Sequence, residues 1–433
     1  MKNSDLLNLF QDQLNELVSE DASFTIALSG GLDSIVLLHL FSRLQTFKVI
    51  AHHVHHGLSD NADYWEHFCQ KEASSLNIEC IVSRVEIDKK NRLSLEALAR
   101  EKRYSILKRR LCDKSYLVTA HHQDDQLETL LLALKRGAGL TGLQGIVAKQ
   151  KLEKGYLIRP LLNFSREQLE AYATQFELQW IEDESNQDQR FDRNFIRHSI
   201  TPMLKSRWPS IAKTVARSAS HCQTQKILID EITATDYLLC QLNPLVLNID
   251  ALKQLNDARR KNVLRDYFKK ALLNYPSTKQ LNTIWQNIAL AQVNAEPKVQ
   301  LQGHTICRYR NALYLFKEDD FSNGYEKIIW QGEDKLILCE GNRVLKIELE
   351  ADQLNQTPYV EVCFREHLPT DFKCKPIGRD KKRNIKKLLH EYHVPPWQRG
   401  SIPFIFADGE LLEAVGVFRC ETALSHLFRI SIF

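Results

Sequence analysis

Along the first ~150 residues, short apolar runs alternate with longer stretches whose apolar positions recur every three or four residues. The runs lie at 24–28, 48–54, 80–85 and 116–120, and they are rich in Val, Ile, Phe and Tyr. Between them the spacing at 34–44, 60–76 and 95–111 predicts amphipathic helices, and 123–135 predicts a fourth. A β-α-β-α rhythm of this kind implies a parallel, Rossmann-like sheet covered by helices on both faces. Such sheets bind ligands at the carboxyl ends of their strands.

Farther along, 164–204 reads as more helix, interrupted by a polar stretch at 182–192. From 208 to 268 there is no Gly and only two Pro, Pro209 and Pro244, and the pattern is strongly helical. Beyond about residue 319 a β-rich alternation returns, in line with a small mixed α/β domain. The expected division is therefore a catalytic α/β domain at 1–213, a helical middle domain at 214–335 and a C-terminal domain at 336–433.

Composition excludes several classes. The chain has 433 residues, 43% hydrophobic and 26% charged, so it is globular and long enough for two or three cores. No stretch approaches the ~18 consecutive apolar residues that span a bilayer. The first residues carry acids and a helical leucine spacing instead of a signal-peptide core. Ten cysteines are scattered and none forms a CxxC pair. They read as reduced thiols, and the expected compartment is the cytoplasm. A net charge of +4 decides little, but 373–387 holds eight basic residues and one acid, Asp380. With a second cluster at Arg190, Arg193, Arg197 and His198, that run is a candidate phosphate-contact surface.

Two segments carry candidate chemistry. Ser29-Gly30-Gly31-Leu32-Asp33-Ser34 follows an apolar run and opens a helix. The glycines permit a tight turn and close phosphate approach, Ser29 and Ser34 offer hydroxyls, and the helix start offers free N–H groups. Asp33 beside a bound phosphate implies either Mg²⁺ binding or helix capping. No GxxxxGK[ST] is present, which disfavours the phosphate-transferring P-loop. The second segment, Ala120-His121-His122-Gln123-Asp124-Asp125-Gln126-Leu127-Glu128-Thr129, again ends a strand. At 100° per residue, His121, Asp125 and Glu128 share one face, and Leu127, Leu130, Leu131 and Leu134 share the other. The leucines are expected to bury the helix while the acids meet the crevice and bind Mg²⁺, hold an ammonium or take a proton. His52, His53, His55 and His56 cannot converge on one metal, because a strand alternates its side chains. Along 95–111, Glu96, Arg100, Arg103 and Lys108 lie on the helix surface, where Arg100 and Arg103 can reach phosphate.

SGGLDS resembles the PP-loop of ATP pyrophosphatases, which cleave between the α- and β-phosphates. Later blocks narrow the resemblance to the tRNA(Ile)-lysidine synthase family: HHGL at 55–58, LEALAREKRY at 95–104, LKRGAGLTGL at 134–143 and IRPLL at 158–162. WIEDESN at 180–186, RNFIR at 193–197 and KKLLHEYHVPPWQR at 386–399 complete the set, so the likeness runs nearly end to end. It implies a ligase that uses ATP and Mg²⁺ to adenylate C2 of the wobble cytidine of a CAU-anticodon tRNA(Ile). The ε-amine of free L-lysine then displaces AMP, switching the tRNA from Met to Ile identity. The implied roles are Ser29, Gly30, Gly31, Leu32, Asp33 and Ser34 for ATP, with Asp33 also for Mg²⁺. Asp33, Arg100, Asp125 and Glu128 are the implied catalytic set. Arg193, Asn194, Arg197, Arg379, Lys381, Lys382, Arg383, Lys386 and Lys387 are implied for tRNA, and a homodimer is among the expectations. The competing readings are a PP-loop tRNA 2-thiolation enzyme, an amide-forming synthetase and a tRNA-binding protein without activity.

Overall fold

In the computed structural model of the chain, the described residues are 3–19, 22–44, 47–57, 59–85, 95–292, 295, 297–317, 326–333, 335–338, 343–349 and 358–432. Leu58, Cys339 and the side chain of Glu96 lie outside them. The chain forms two compact units, Met1–Asp230 and Glu231–Phe433. The helix Ile211–Cys240 runs unbroken through position 213, where a domain boundary is expected. Among the described residues no helix is long and apolar enough to cross a membrane.

The first unit begins with α1 (Asn3–Leu17), β1 (Ser23–Ala27), α2 (Leu32–Leu44), β2 (Lys48–His55) and α3 (Ala62–Ser75). It continues through β3 (Glu79–Arg84), α4 (Leu95–Arg109), β4 (Ser115–Val118) and α5 (Gln123–Lys135). These elements match the alternation in the sequence to within a few residues. The short helix α6 (Leu140–Leu143), a hairpin of β5 (Lys149–Lys151) and β6 (Tyr156–Ile158), and the helix α7 (Arg166–Gln175) follow. The sheet order is β3-β2-β1-β4-β6-β5, with every pairing parallel except β5 against β6. Strands of three residues, as in this hairpin, are too short to show a period in the sequence.

One sheet face is sealed by α1, α2 and α7, where Phe10, Leu14, Phe24, Ile26, Val36, Leu37, Leu40 and Leu169 form one core. On the other face Leu107 and Leu111 meet Val54, Leu117 and Leu157. Helix α2 is buried nearly all round, which suits its unbroken run of apolar residues. Order β2-β1-β4 places the ends of β1 and β4 side by side, with Ile26 opposite Val118. A helix leaves each strand there, so the crevice opens at a topological switch point.

In the second unit, the region that reads as helical also carries a five-stranded antiparallel sheet. It is built from Gln241–Asn243, Val246–Asn248, Lys298–Leu301, His304–Tyr309 and Ala312–Phe316. Tyr267 and Phe268 of the helix Asp257–Lys270 share a core with Ile306 and Leu313 of this sheet. The first two of these strands are three residues each and directly follow a long helix, so helical periodicity masks them. Toward the C-terminus lie a five-stranded and a three-stranded antiparallel sheet. A small hairpin, Lys373–Cys374 against Arg383–Asn384, carries four of the eight basic residues of that run on its loop, and the helix Ile385–Glu391 carries Lys386 and Lys387.

Candidate active site

The turn after β1 is organised by one hydroxyl. Ser34 is buried, and its Oγ accepts from the backbone N–H of Gly30 at 3.1 Å and from Ser29 Oγ at 3.1 Å, while donating to Gly31 O at 2.9 Å. Ser34 therefore shapes the loop and does not present a free donor. Gly30 has φ +86°, and a Cβ there would meet Ile181 Cδ1 at 2.8 Å and Cys69 Sγ at 3.1 Å. The Ile181 N–H donates to Gly30 O at 2.9 Å, so the WIEDESN segment lies directly on the glycine turn.

Asp33 follows at the start of α2. Its Oδ2 lies 3.5 Å from His122 Nε2 and 3.4 Å from Arg166 Nη1. Its other oxygen, Oδ1, is buried and has no partner among the described residues. An orphaned carboxylate oxygen beside an anion-binding turn fits a hard cation such as Mg²⁺.

Helix α5 departs from the expected orientation. Asp124, Asp125, Gln126, Leu127 and Glu128 are all buried, whereas Leu134 is 55% exposed. The acids lie deeper than most of the leucines because the segment after α7 covers them with cations. Arg193 donates to Glu128 Oε2 at 2.8 Å and to Asp125 Oδ1 at 2.7 Å. Arg197 donates to Glu128 Oε1 at 2.7 Å and reaches Asp125 Oδ1 at 3.3 Å. Lys205 joins Asp124 at 2.7 Å and Glu167 at 2.6 Å. Arg193 sits in the single-turn helix α8 (Asp192–Phe195), and Arg197 in the π-helical turn Ile196–Ile200 that continues it. The wider turn lets both guanidiniums face the same two acids, and such turns recur at functional sites.

His122 caps α5, its Nδ1 accepting from the Asp124 N–H at 3.2 Å while its backbone N–H donates to Asp125 Oδ2 at 2.9 Å. Burial works against a charge on His122, but Asp125, Asp33 and Asp124 outweigh it and raise its pKa. Asp125 shows the converse. Burial opposes its charge, yet His122, Arg193 and His121 hold the carboxyl well below the usual range. His121 hydrogen-bonds Thr119 Oγ1 at 2.9 Å. Burial, with help from Arg159, Arg193 and Arg100 and against Asp125, pushes its pKa down to about 3.

The remaining predicted residues separate. Arg100 is exposed on α4, with its guanidinium 5.2 Å from the centre of the Tyr104 ring. Asn194 donates to Ser185 O at 2.9 Å and Asp188 O at 3.0 Å, which ties the 182–192 loop in place. In the second unit Arg379 and Arg383 both pair with Glu391, whereas Lys381, Lys382, Lys386 and Lys387 are exposed. The histidines of β2 diverge as the alternation requires. His52 bonds Ser83, His53 bonds Leu28 O, and burial lowers the pKa of both. His55, Asp63 and Glu66 do gather within 4.8 Å, but Arg84 already supplies a cation to both acids.

Sequence reasoning passes over His122 as the capping group, Arg166, Lys205 and Ile181. His122 has a readable signal, since a polar residue just before an apolar-periodic helix is a cap candidate. Arg166 and Lys205 have none, because each meets its acid across 133 and 81 residues.

Comparison with known proteins bears on the same residues. A PP-loop domain family matches residues 4–204, a TilS substrate binding domain matches 247–314, and a TilS substrate C-terminal domain matches 360–427. A tRNA(Ile)-lysidine synthase of Vibrio parahaemolyticus is 39% identical over 426 residues, 96% of each chain. One from Serratia proteamaculans is 39% identical over 96% of this chain and 95% of its own. One from Coxiella burnetii is 36% identical over 93% of this chain and 91% of its own.

Proposed function

Because the chain belongs to the tRNA(Ile)-lysidine synthase family, we propose that its switch-point crevice joins ATP, a tRNA wobble cytidine and free L-lysine. The protein is an ATP-dependent ligase that forms lysidine on tRNA. The observation that carries the finer reading is an anion-binding turn and a pair of buried acids meeting at one histidine. His122 lies 3.5 Å from Asp33 on the nucleotide side and 3.6 Å from Asp125 on the amine side.

In the first step, cytidine O2 attacks the α-phosphorus and diphosphate leaves. Negative charge accumulates around that phosphorus, and the N–H groups at the start of α2, with Arg100, stabilise it. Asp33 would hold Mg²⁺ through its free oxygen, and the ion when bound neutralises phosphate charge. In the second step, the lysine ε-amine attacks C2 and AMP leaves. Free lysine has a pKa near ~10.4, so its ammonium must first be docked and then lose a proton. Asp125, held low by His122 and Arg193, is a poor base and serves to dock the cation. Glu128 is then assigned the proton, with Arg193 and Arg197 giving way as the ammonium enters.

We also assign 1–213 to catalysis, and 214–335 and 336–433 to tRNA recognition, which the matched substrate-binding domains support. The thiolation alternative is not favoured, since the cysteines form no CxxC pair to carry sulfur or a cluster. The test is to incubate the enzyme with an unmodified CAU-anticodon tRNA(Ile) transcript, ATP, Mg²⁺ and labelled lysine. Label should enter the RNA with AMP and diphosphate as products. Formation of ADP and phosphate, or label-free RNA, would refute the reading.

A further inference from the structure

Apart from Arg100, which is assigned to the phosphate charge, the residues of one further groove have no role. It has a volume of about 860 Å³ and runs between α4 and the β5–β6 hairpin. Arg100, Tyr104, Lys108 and Arg109 line one wall, and Leu152 and Lys154 stand opposite. Glu101 and Glu153 are the acids at its edge, so four cations face two carboxylates. Among the described residues none of those four cations forms an ion pair.

Its position links it to the chemistry. β6, a strand of the hairpin wall, pairs with β4 and ends with Ile158 opposite Val118, next to the crevice, and the Arg100 charge is felt by His121 and Arg159 just beyond those strands. Arg100, Tyr104 and Lys108 are spaced i, i+4, i+8, a line of roughly 12 Å along one helix face. The groove is thus lined by a cationic strip with an aromatic ring in its middle, the Arg100 guanidinium lying 5.2 Å from the ring centre and the ring open to a base beside it once Arg100 turns to phosphate. Strips of that composition bind single-stranded nucleic acid, with cations tracking the backbone and the ring stacking a base.

We propose that this groove holds the unpaired tRNA nucleotides next to the modified base, with Tyr104 as the stacking platform and Lys108 and Lys154 on the phosphates. The proposal rests on tRNA being the substrate and adds the surface that presents the base. An anticodon loop suits it because its nucleotides are unpaired, can be splayed out and reach the crevice in sequence with the target. A duplex cannot present base faces to a ring in a groove. A protein partner would need an apolar centre, and Leu152 is the sole aliphatic residue of the lining.

The test uses the full-length enzyme with intact tRNA and with an isolated anticodon stem-loop. Tyr104→Leu keeps the apolar contact beneath the ring and removes the platform; Tyr104→Phe keeps both. Tyr104→Leu should raise KM for both RNAs by roughly tenfold, within the range for one stacked base, and Tyr104→Phe should stay near wild type. Lys108→Ala combined with Lys154→Ala should lower the log–log salt slope of stem-loop binding by about 1.4. KM for ATP and for lysine should not move. Stem-loop affinity, read by fluorescence anisotropy, tests the groove even if lysine incorporation fails in the wild type. Unchanged stem-loop affinity in all variants would overturn the proposal and leave the groove to a protein partner. Equal losses toward ATP, lysine and RNA would overturn it too.

Discussion

Asp125 and Glu128 are buried acids whose company of two arginines and a histidine defines what they can do. Replacing either by its amide keeps the shape and removes the charge that an incoming ammonium needs. Asp125→Asn and Glu128→Gln should each lower lysine incorporation by about 10²-fold or more while leaving tRNA retention on filters within about twofold. Near-normal turnover in both would sink the assignment. His121 makes a prediction about pH. Its folded pKa is about 3, below the ordinary value of 6.5, so the unfolded chain binds more protons between those limits. The stability it contributes is complete above pH 6.5 and falls as pH drops toward 3. Urea unfolding of His121→Gln should show a shallower loss between about pH 6.5 and 4, by at most about 1.4 kcal/mol per pH unit. An identical pH dependence in the variant and wild type would show that His121 is not buried neutral.

Elements decide where those residues stand. The β1–turn–α2 unit works because Gly30 takes a left-handed conformation with Ile181 and Cys69 close against it. Gly30→Ala adds both a backbone strain and a clash, so it should raise KM for ATP about tenfold or more and lower the melting temperature by several degrees. Diphosphate release and a thermal melt read the two effects, and a variant unchanged in both would show that the turn tolerates a side chain. Helix α5 teaches a different lesson. Its boundaries are legible from periodicity, but its orientation is not. Leu127, Leu130, Leu131 and Leu134 form an apolar stripe by spacing, yet of these only Leu127 is buried, and Asp124, Asp125 and Glu128 are enclosed with it. Periodicity reports that two faces differ; it does not report that a distant segment brings three cations to the polar one. The β5–β6 hairpin and the short strands after Cys240 are invisible for a simpler reason, being three residues long.

At the scale of the whole molecule, each unit brings its own cations. In the first unit Arg193 and Arg197 are engaged by buried acids, and Asn194 holds a loop. In the second unit Lys381, Lys382, Lys386 and Lys387 stand exposed, while Arg379 and Arg383 share Glu391. Removing Lys381, Lys382, Lys386 and Lys387 together should weaken tRNA binding and flatten its salt dependence, by about 0.7 to 0.9 in log–log slope for each phosphate no longer neutralised. Anisotropy titrations at several salt concentrations measure it. An unchanged slope would make those lysines a solvated surface.

The order of strands and helices, the glycine turn, and the acids after β4 are all readable from the chain, because each depends on neighbours within a turn or a strand. The resemblance carried by the later blocks then supplies the reaction. What the chain alone does not reveal is how those pieces are charged and covered. Arg193 meets Glu128 across 65 residues, Lys205 meets Asp124 across 81, and Arg166 meets Asp33 across 133. Only folding brings such groups together, since an ion pair depends on distance in space and leaves no period in the sequence.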